Sequence, residues 1–454
     1  MRSMTSDEMF DHAKACAYIE ESAKLGSRPG LDRIRRLCAI LGNPQDDLRF
    51  MHIAGTNGKG STAAMISSIL TEAGLCTGMY YSPALCGITD HFRLNGELIC
   101  DSDYDMCVSK VAAANEELID KTGESATQFE LETAMAFIYF RENHCDAVVL
   151  ECGMGGRDDA TNIVRDKICC VFASVSYDHM QYLGDTLAKI ADVKSGIITS
   201  DCPVIAYDSS HEVIDVIKKR CEETGSTLYV VNGSDVTSRD MFPKGQAVTY
   251  KEFSDTLIGL CGTFQAQNAA LALETVGVIR DNAMIPGLVI DDKTIESGIK
   301  KVRWPYRFEC ISESPTVLVD GAHNADAAAK LADSIRLYLN GYDIILVMGV
   351  FADKEYDKVA SILAPLAGTV YTVETPDNSR ALPASELAKC VVKYCKDVHA
   401  CSSIEEACKL SLGEAESAKG KSAVVACGSL SYLKLFRDGI MEQTGIKNDN
   451  GKNR

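Results

Sequence analysis

A single tryptophan, 11 prolines in 454 residues, no Cys-x-x-Cys pair and no long apolar run are what the sequence lacks. A membrane-spanning helix needs about 20 mostly apolar residues, and runs such as Ile168 to Ala173 stop far short of that. An integral membrane protein is therefore not expected. Proline is scarce beside 34 glycines, 46% of side chains are hydrophobic and 24% charged, so a globular chain is expected rather than a fibrous or disordered one. Positive charge is also short: 46 Lys and Arg face 64 Asp and Glu, for a net charge of −18. Such a chain repels nucleic acid over most of its surface, and any anionic ligand must be held by a local site.

The 19 cysteines are an odd number without the usual metal-ligand spacings. The first 30 residues show no apolar secretory segment. Together these features read as a reducing cytoplasm in which cysteines serve as small core hydrophobes, with Cys169 and Cys170 on a buried strand.

From about residue 48 onward short β-rich runs alternate with helical stretches, which predicts an α/β fold with mostly parallel sheets. Phe50 to Ala54 reads as a strand and STAAMISSILTEAG as a helix, with Met65, Ile66, Ile69 and Leu70 at helical spacing and Gly74 as its stop. Ala147 to Leu150, Cys169 to Ala173 and Pro203 to Ala206 read as buried strands. Ser226 to Cys261 reads as an antiparallel insertion, Asn268 to Arg280 as a helix, and the Pro-containing stretch from Asp281 to Lys301 as irregular. The pattern restarts beyond residue 300, with strands at 317–319, 344–348, 370–373 and 423–426. This places an ATP-binding domain at 1–300 and a smaller Rossmann-like domain at 301–454. The terminal EQTGIKNDNGKNR is polar and expected to fray.

The most informative segment is HIAGTNGKGST, His52 to Thr62, between a predicted strand and a predicted helix. Glycines at 55, 58 and 60 let backbone N–H groups turn toward phosphate oxygens. The helix N-terminus adds partial positive charge, Lys59 adds a full one, and Ser61 offers a hydroxyl to the Mg²⁺ that accompanies ATP. Gly60 separates the lysine from the serine, unlike the common phosphate loop. Glu151 closes a buried strand at its carboxyl end, where ligands of doubly wound sheets bind. His179, after another predicted strand, is a metal-ligand candidate or a packing histidine. By pattern alone Glu151 is also compatible with a solvated loop, and Lys194 reads as a solvent-exposed helical lysine.

Six motifs occur in order: the Gly55–Ser61 loop, T-x-F-E at Thr127–Glu130, LExGxGGRxDATN ending at Asn162, DHxxxLGxTxxxIAxxKxGI from Asp178 to Ile197, Q-x-x-NAA at Gln265–Ala270, and DGAHN from Asp320 to Asn324. The set resembles folylpolyglutamate synthase and the bifunctional dihydrofolate synthase/folylpolyglutamate synthase of the Mur ligase superfamily, over about residues 15–435. The resemblance implies a P-loop-containing central domain of Mur-ligase type and a smaller Rossmann-like C-terminal domain that closes over ATP and binds glutamate.

It further implies that Gly55, Thr56, Asn57, Gly58, Lys59, Gly60 and Ser61 bind ATP phosphates. Ser61 and Glu151 would hold one Mg²⁺; His179 and Lys194, the latter as a carbamate, would serve a second. Lys59, Glu151, His179 and Lys194 thus form the implied catalytic set. Asn268, Arg307, Asp320 and His323 match nucleotide-contacting positions, the last three from the second domain and on the far side of a cleft. Ser82, Pro83, Phe129 and Asp159 match folate-binding positions. The chain departs from the family at Ala84, where a histidine is usual, at Asp90-His91 in place of Glu-Arg, and at Tyr306 in place of glycine.

The implied reaction is ATP-dependent addition of L-glutamate to a folate, with dihydropteroate as a further acceptor, on small molecules alone and by a cytoplasmic monomer. Three other readings compete. A peptidoglycan-type Mur ligase needs about a hundred residues ahead of the loop, and here Gly55 has 54 before it. A nucleotide switch has no use for Glu151, His179 and Lys194 together. A non-catalytic relative is raised by Ala84 and Asp90-His91.

Overall fold

The computed structural model describes residues 9–85, 87–376 and 380–445. Its backbone forms two compact units: residues 1–237, 248–257 and 267–302 make the first, and residues 238–247, 258–266 and 303–454 the second.

The first unit is built on eight strands: β1 (Phe50–Ala54), β2 (Thr77–Tyr80), β3 (Phe92–Leu94), β4 (Glu97–Leu98), β5 (Ala147–Glu151), β6 (Lys167–Phe172), β7 (Val204–Tyr207) and β8 (Leu228–Val231). Their order is β4-β3-β2-β5-β1-β6-β7-β8. β1 lies parallel between β5 and β6, with Met51 opposite Val149 on one side and Cys169 on the other. Every residue of these three strands is buried, as expected of a parallel sheet covered on both faces, and this is why they read as unbroken apolar runs. Only β3 runs against the others, pairing antiparallel with β2 on one side and with β4 at the edge on the other. Cys169 and Cys170 are fully buried on β6, and the 18 described cysteines are free thiols.

Several boundaries differ from the sequence expectation. The helix after β1 begins at Lys59, two residues ahead of the STAAMISS run, because Gly58 forms its N-cap in the left-handed region. β8 pairs in parallel with β7 and belongs to the main sheet; the smaller sheet comprises β9 (Thr237–Asp240), β10 (Gln246–Tyr250) and β11 (Phe253–Ile258). The next helix starts at Thr263 rather than Asn268. The stretch read as irregular holds a helix, Asp292–Lys301, capped by the Asp291 carboxylate on the Thr294 N–H and burying Ile295 and Ile299. Its short apolar repeat, masked by surrounding charge, was the available signal.

The second unit orders six strands, β12 (Glu309–Glu313), β13 (Thr316–Asp320), β14 (Asp343–Met348), β15 (Thr369–Thr372), β16 (Asp397–Ala400) and β17 (Ser422–Cys427), as β12-β13-β17-β14-β15-β16. All neighbours are parallel except β12 with β13. The edge strands β12 and β16, half-polar in sequence, escape the apolar-run criterion. Phe308 and Tyr338, with ring centroids 5.3 Å apart, pack at one end of this core. Glu442, Gln443 and Thr444 continue the helix Leu430–Thr444, and the rest of the segment expected to fray lies, from residue 446 on, outside the described residues.

In the first unit the helix Asp292–Lys301 lies directly on Lys59–Glu72. A side chain at Gly298 would come within 2.6 Å of the Ile69 Cα, and Ser68 Oγ donates to the Gly298 carbonyl at 2.6 Å. Gly298→Ala is therefore expected to lower unfolding free energy by about 1–3 kcal/mol through overpacking. Gly277→Ala, at an open position within a helix, should raise it by up to about 1 kcal/mol. Urea unfolding followed by circular dichroism checks both signs.

Candidate active site

The turn after β1 is held from outside. The Thr56 and Asn57 N–H groups donate to the Ser174 carbonyl at 2.7 and 3.2 Å. Thr56 Oγ1 donates to the Ser176 carbonyl at 3.0 Å and accepts from the Ser176 N–H at 3.1 Å. Gly58 has φ +87°, and a Cβ there would stand 2.3 Å from Asn268 Oδ1. Only glycine meets both the backbone angle and the close approach. The loop is thus fixed with Asn268 beside it and the helix Lys59–Glu72 springing from its end.

Lys59 Nζ donates to the Thr56 carbonyl at 3.3 Å and lies 3.6 Å from Glu151 Oε1. Glu151 is 5% exposed and Ser61 2%, so Glu151 stands at the carboxyl end of β5 as a buried carboxylate and not as a solvated loop residue. Lys194, expected on a solvated face, is also buried: its Nζ donates to the Gly55 carbonyl at 2.7 Å. Burial, reinforced by the charge of Lys59, pushes its amine down to about 7, with Asp178 and Asp159 opposing. The pattern missed this because the loop before Asn162 covers the end of the lysine's helix. Arg157 N–H donates to the Val193 carbonyl at 2.9 Å, and Asn162 Nδ2 donates to the Gly196 carbonyl at 3.1 Å.

His179 is placed differently. It has φ +49° ahead of the short helix Met180–Leu183, its ring is 42% exposed, and its Nε2 lies 3.8 Å from Asp178 Oδ2. Asp178, which bears electrostatically on Lys194, was not singled out in sequence. Among the described residues no group of three or more His, Cys, Asp or Glu is gathered closely enough to hold a metal ion. One buried carboxylate and one hydroxyl beside a phosphate loop nevertheless fit Mg²⁺, which commonly takes one or two carboxylates and completes its shell with substrate phosphates and water.

The T-x-F-E motif resolves into a capping box: Thr127 and Glu130 exchange hydrogen bonds at the start of the helix Gln128–Glu142. Glu130 also accepts from Arg33 Nε at 3.2 Å. Phe129 is left to lie over Gly153 and 6.2 Å from the Tyr80 ring. Asp159 is wholly engaged in its own turn, accepting from the N–H groups of Met154 and Thr161 and from Thr161 Oγ1. Thr161 in turn meets His52 Nε2 at 2.9 Å, under β1. Burial raises the Asp159 carboxyl against these donors. Ser82 is half-buried and Pro83 exposed on the loop after β2. Asp90 accepts from Arg93 at 2.9 Å and from the Leu85 N–H at 2.9 Å.

In the second unit, Asp320 ends β13 and accepts from the N–H groups of Phe308 and Ala322, both at 2.8 Å. Burial pushes its carboxyl up to about 6, with Arg307 opposing. His323 Nδ1 donates to the Gly321 carbonyl at 2.9 Å, and Asn324 caps the helix Ala325–Tyr338. Tyr306 adopts φ +57°, a conformation that glycine takes without strain, and its ring is buried under the Arg437 guanidinium at 5.9 Å.

A phosphate-type loop after the central strand of one α/β unit, a carboxylate on the neighbouring strand and a second Rossmann-like unit define an ATP-dependent ligase of the Mur type. The Mur ligase middle domain family model matches residues 53–276, and that of the Mur ligase, glutamate ligase domain, matches residues 306–430. The dihydrofolate synthase/folylpolyglutamate synthase of Bacillus subtilis is 34% identical over 83% of this chain and 86% of its own. That of Escherichia coli is 29% identical over 96% of both chains. A Mycobacterium tuberculosis folylpolyglutamate synthase complexed with ADP and AMPPCP superposes with a TM-score of 0.85 at 27% identity, covering 96% of this chain and 100% of that one. E. coli FolC in complex with DHPP and ADP does so at 0.82 and 28% identity, covering 97% and 100%. The chain belongs to the dihydrofolate synthase/folylpolyglutamate synthase family.

The raised Asp320 value has a consequence for stability. The folded chain binds this proton more tightly than the unfolded one, whose value is 3.8, so the contribution is complete below about pH 4 and lost as pH rises through about 6. Relative to Asp320→Asn, the wild type is expected to lose about 3 kcal/mol of stability between about pH 4 and pH 7. Paired urea titrations at the two pH values measure the difference.

Proposed function

We propose that this chain joins L-glutamate to a folate at the expense of ATP, with dihydropteroate as a second acceptor. The observation that carries the reading is the pairing of Lys59 with the buried Glu151 at the end of a rigid glycine loop, with Lys194 held to the same turn. A carboxylate is a poor electrophile. Transfer of the γ-phosphoryl group of ATP to a carboxylate oxygen of the acceptor breaks the bridging P–O bond, releases ADP and leaves an acyl phosphate. The glutamate amine then attacks the acyl carbon, forming the amide through a tetrahedral intermediate as inorganic phosphate leaves with the C–O bond pair and the amine loses a proton.

The chain's part is charge neutralisation and orientation. Lys59 is restrained by the Thr56 carbonyl and Glu151, so its ammonium is directed before nucleotide arrives. Within the loop Gly55–Ser61, the backbone N–H groups beyond Asn57 are proposed to take the phosphates, since those of Thr56 and Asn57 donate to the Ser174 carbonyl. Ser61 and Glu151 would hold Mg²⁺, and His179 and Lys194 a second ion. Bound Mg²⁺ would offset phosphate charge during transfer. For Asn268, Arg307, Asp320 and His323 as nucleotide contacts, and for Ser82, Pro83, Phe129 and Asp159 as folate contacts, support comes from motif correspondence. The reading includes a cytoplasmic monomer working on small molecules. In its favour, the net charge is −18, and no helix among the described residues is long and apolar enough to cross a membrane.

The test is purified protein with ATP, Mg²⁺, glutamate and a panel of reduced folates and dihydropteroate. ADP and a glutamylated product are expected, and Lys59→Ala or Glu151→Ala should cut kcat/KM at least about 100-fold. ATP binding with no product from any acceptor would favour a non-catalytic nucleotide-binding protein.

Lys194 carries a second test. A buried amine near 7 is substantially unprotonated at neutral pH, the form that adds to CO₂ to give a carbamate and a proton. Protein prepared with ¹³C-bicarbonate should show a carbamate carbon signal that Lys194→Ala lacks. Identical spectra would leave Lys194 as a cation tied to Gly55.

A further inference from the structure

Two buried side chains beside Phe129, His91 and Glu132, have no part in the scheme above. His91 ends the turn Ile88–His91, on the segment that also carries Ser82, and its ring lies 6.0 Å from Tyr80. Glu132 lies one helical turn after Phe129 on Gln128–Glu142. It is an acid within the otherwise apolar run LETAMAFIYF.

His91 Nδ1 stands 2.8 Å from the Tyr81 carbonyl. A carbonyl only accepts, so this nitrogen carries a proton. His91 Nε2 faces Glu132 Oε1 at 3.7 Å, with the two side chains 6% and 5% exposed. Without a further proton, an imidazole lone pair would confront a carboxylate away from water, an arrangement that burial makes costly. One additional proton must therefore reside on the pair, on the imidazole or on the carboxyl group.

The other polar groups nearby do not supply it. Gln128 Nε2 donates to Glu132 Oε1 at 2.7 Å but cannot titrate. Asp90 is engaged by Arg93 and the Leu85 N–H. The phenols of Tyr80, Tyr81 and Tyr104 are all held above their ordinary range, chiefly by burial. Burial also raises the Glu132 carboxyl, and His91 opposes it.

We propose that His91 and Glu132 are positioning residues of the folate site: their shared proton fastens the turn Ile88–His91 onto the helix bearing Phe129. The inference rests on the reading of Ser82 and Phe129 as folate contacts. Acceptor binding, rather than ATP binding or the chemical step, follows this attachment.

The experiment measures KM for the folate acceptor, KM for ATP and kcat in wild type, Glu132→Ala and Glu132→Gln. Glu132→Ala is expected to raise the folate KM about tenfold, the loss of one polar contact. Glu132→Gln, whose amide still meets the ring, should recover most of that change, with KM for ATP unchanged in both. A wild-type folate KM in Glu132→Ala overturns the proposal, as do equal changes in kcat and both KM values.

Ring ¹⁵N spectra of His91 give a readout independent of turnover. Nδ1 should carry a proton in the wild type and in Glu132→Gln. A His91 whose only proton sits on Nε2 overturns the pair. Wild type that glutamylates no folate defeats the functional reading itself, and the spectra then decide the pair separately.

Discussion

Two lysine ammonium groups, Lys59 and Lys194, converge on the backbone carbonyls of two successive residues, Thr56 and Gly55, within a chain of net charge −18. Like charges held together inside a protein repel, and the remainder of the site can be understood as the means by which that repulsion is contained. Glu151 stands 3.6 Å from one lysine, while Asp178 and Asp159 bear on the other. Burial removes part of the charge from Lys194 outright.

The rigidity of this arrangement comes from the sheet. β1 lies between two fully buried parallel neighbours, so the turn leaving it has a fixed origin. Ser174 and Ser176, just beyond β6, accept and donate hydrogen bonds to the turn from the adjacent strand end. The loop 152–162 after β5 closes over the helix that delivers Lys194. Three of the ordered motifs, the Gly55–Ser61 loop, LExGxGGRxDATN and DHxxxLGxTxxxIAxxKxGI, thus follow β1, β5 and β6 of one sheet, and hydrogen bonds join the segments they occupy.

Apart from Ala84, which nothing in the structure explains, the departures from the family pattern have local physical accounts. Asp90 is compensated by Arg93, three residues on, and His91 by Glu132, forty-one residues on. Tyr306 takes a backbone angle suited to glycine and offsets the strain by burying its ring beneath Arg437. These substitutions change how the loops are held and leave the loop Gly55–Ser61 untouched.

The amino-acid sequence by itself determined the α/β class, the β1-turn-helix unit and the places of Lys59, Ser61 and Glu151 at the start of that helix and at a strand end, because unbroken apolar runs and glycine spacing are local signals. It also carried the family. It did not disclose the half-polar edge strands β12 and β16 or the helix Asp292–Lys301, whose apolar positions are few. Burial of Lys194, the capping role of Thr127 and Glu130, and the engagement of Asp159 within its own turn were decided only by the tertiary structure. So was the meeting of His91 with Glu132. The physical reason is common to all of them: protonation, exposure and hydrogen-bond partners depend on what a distant segment places within a few ångströms, and residue spacing along a chain holds no record of that.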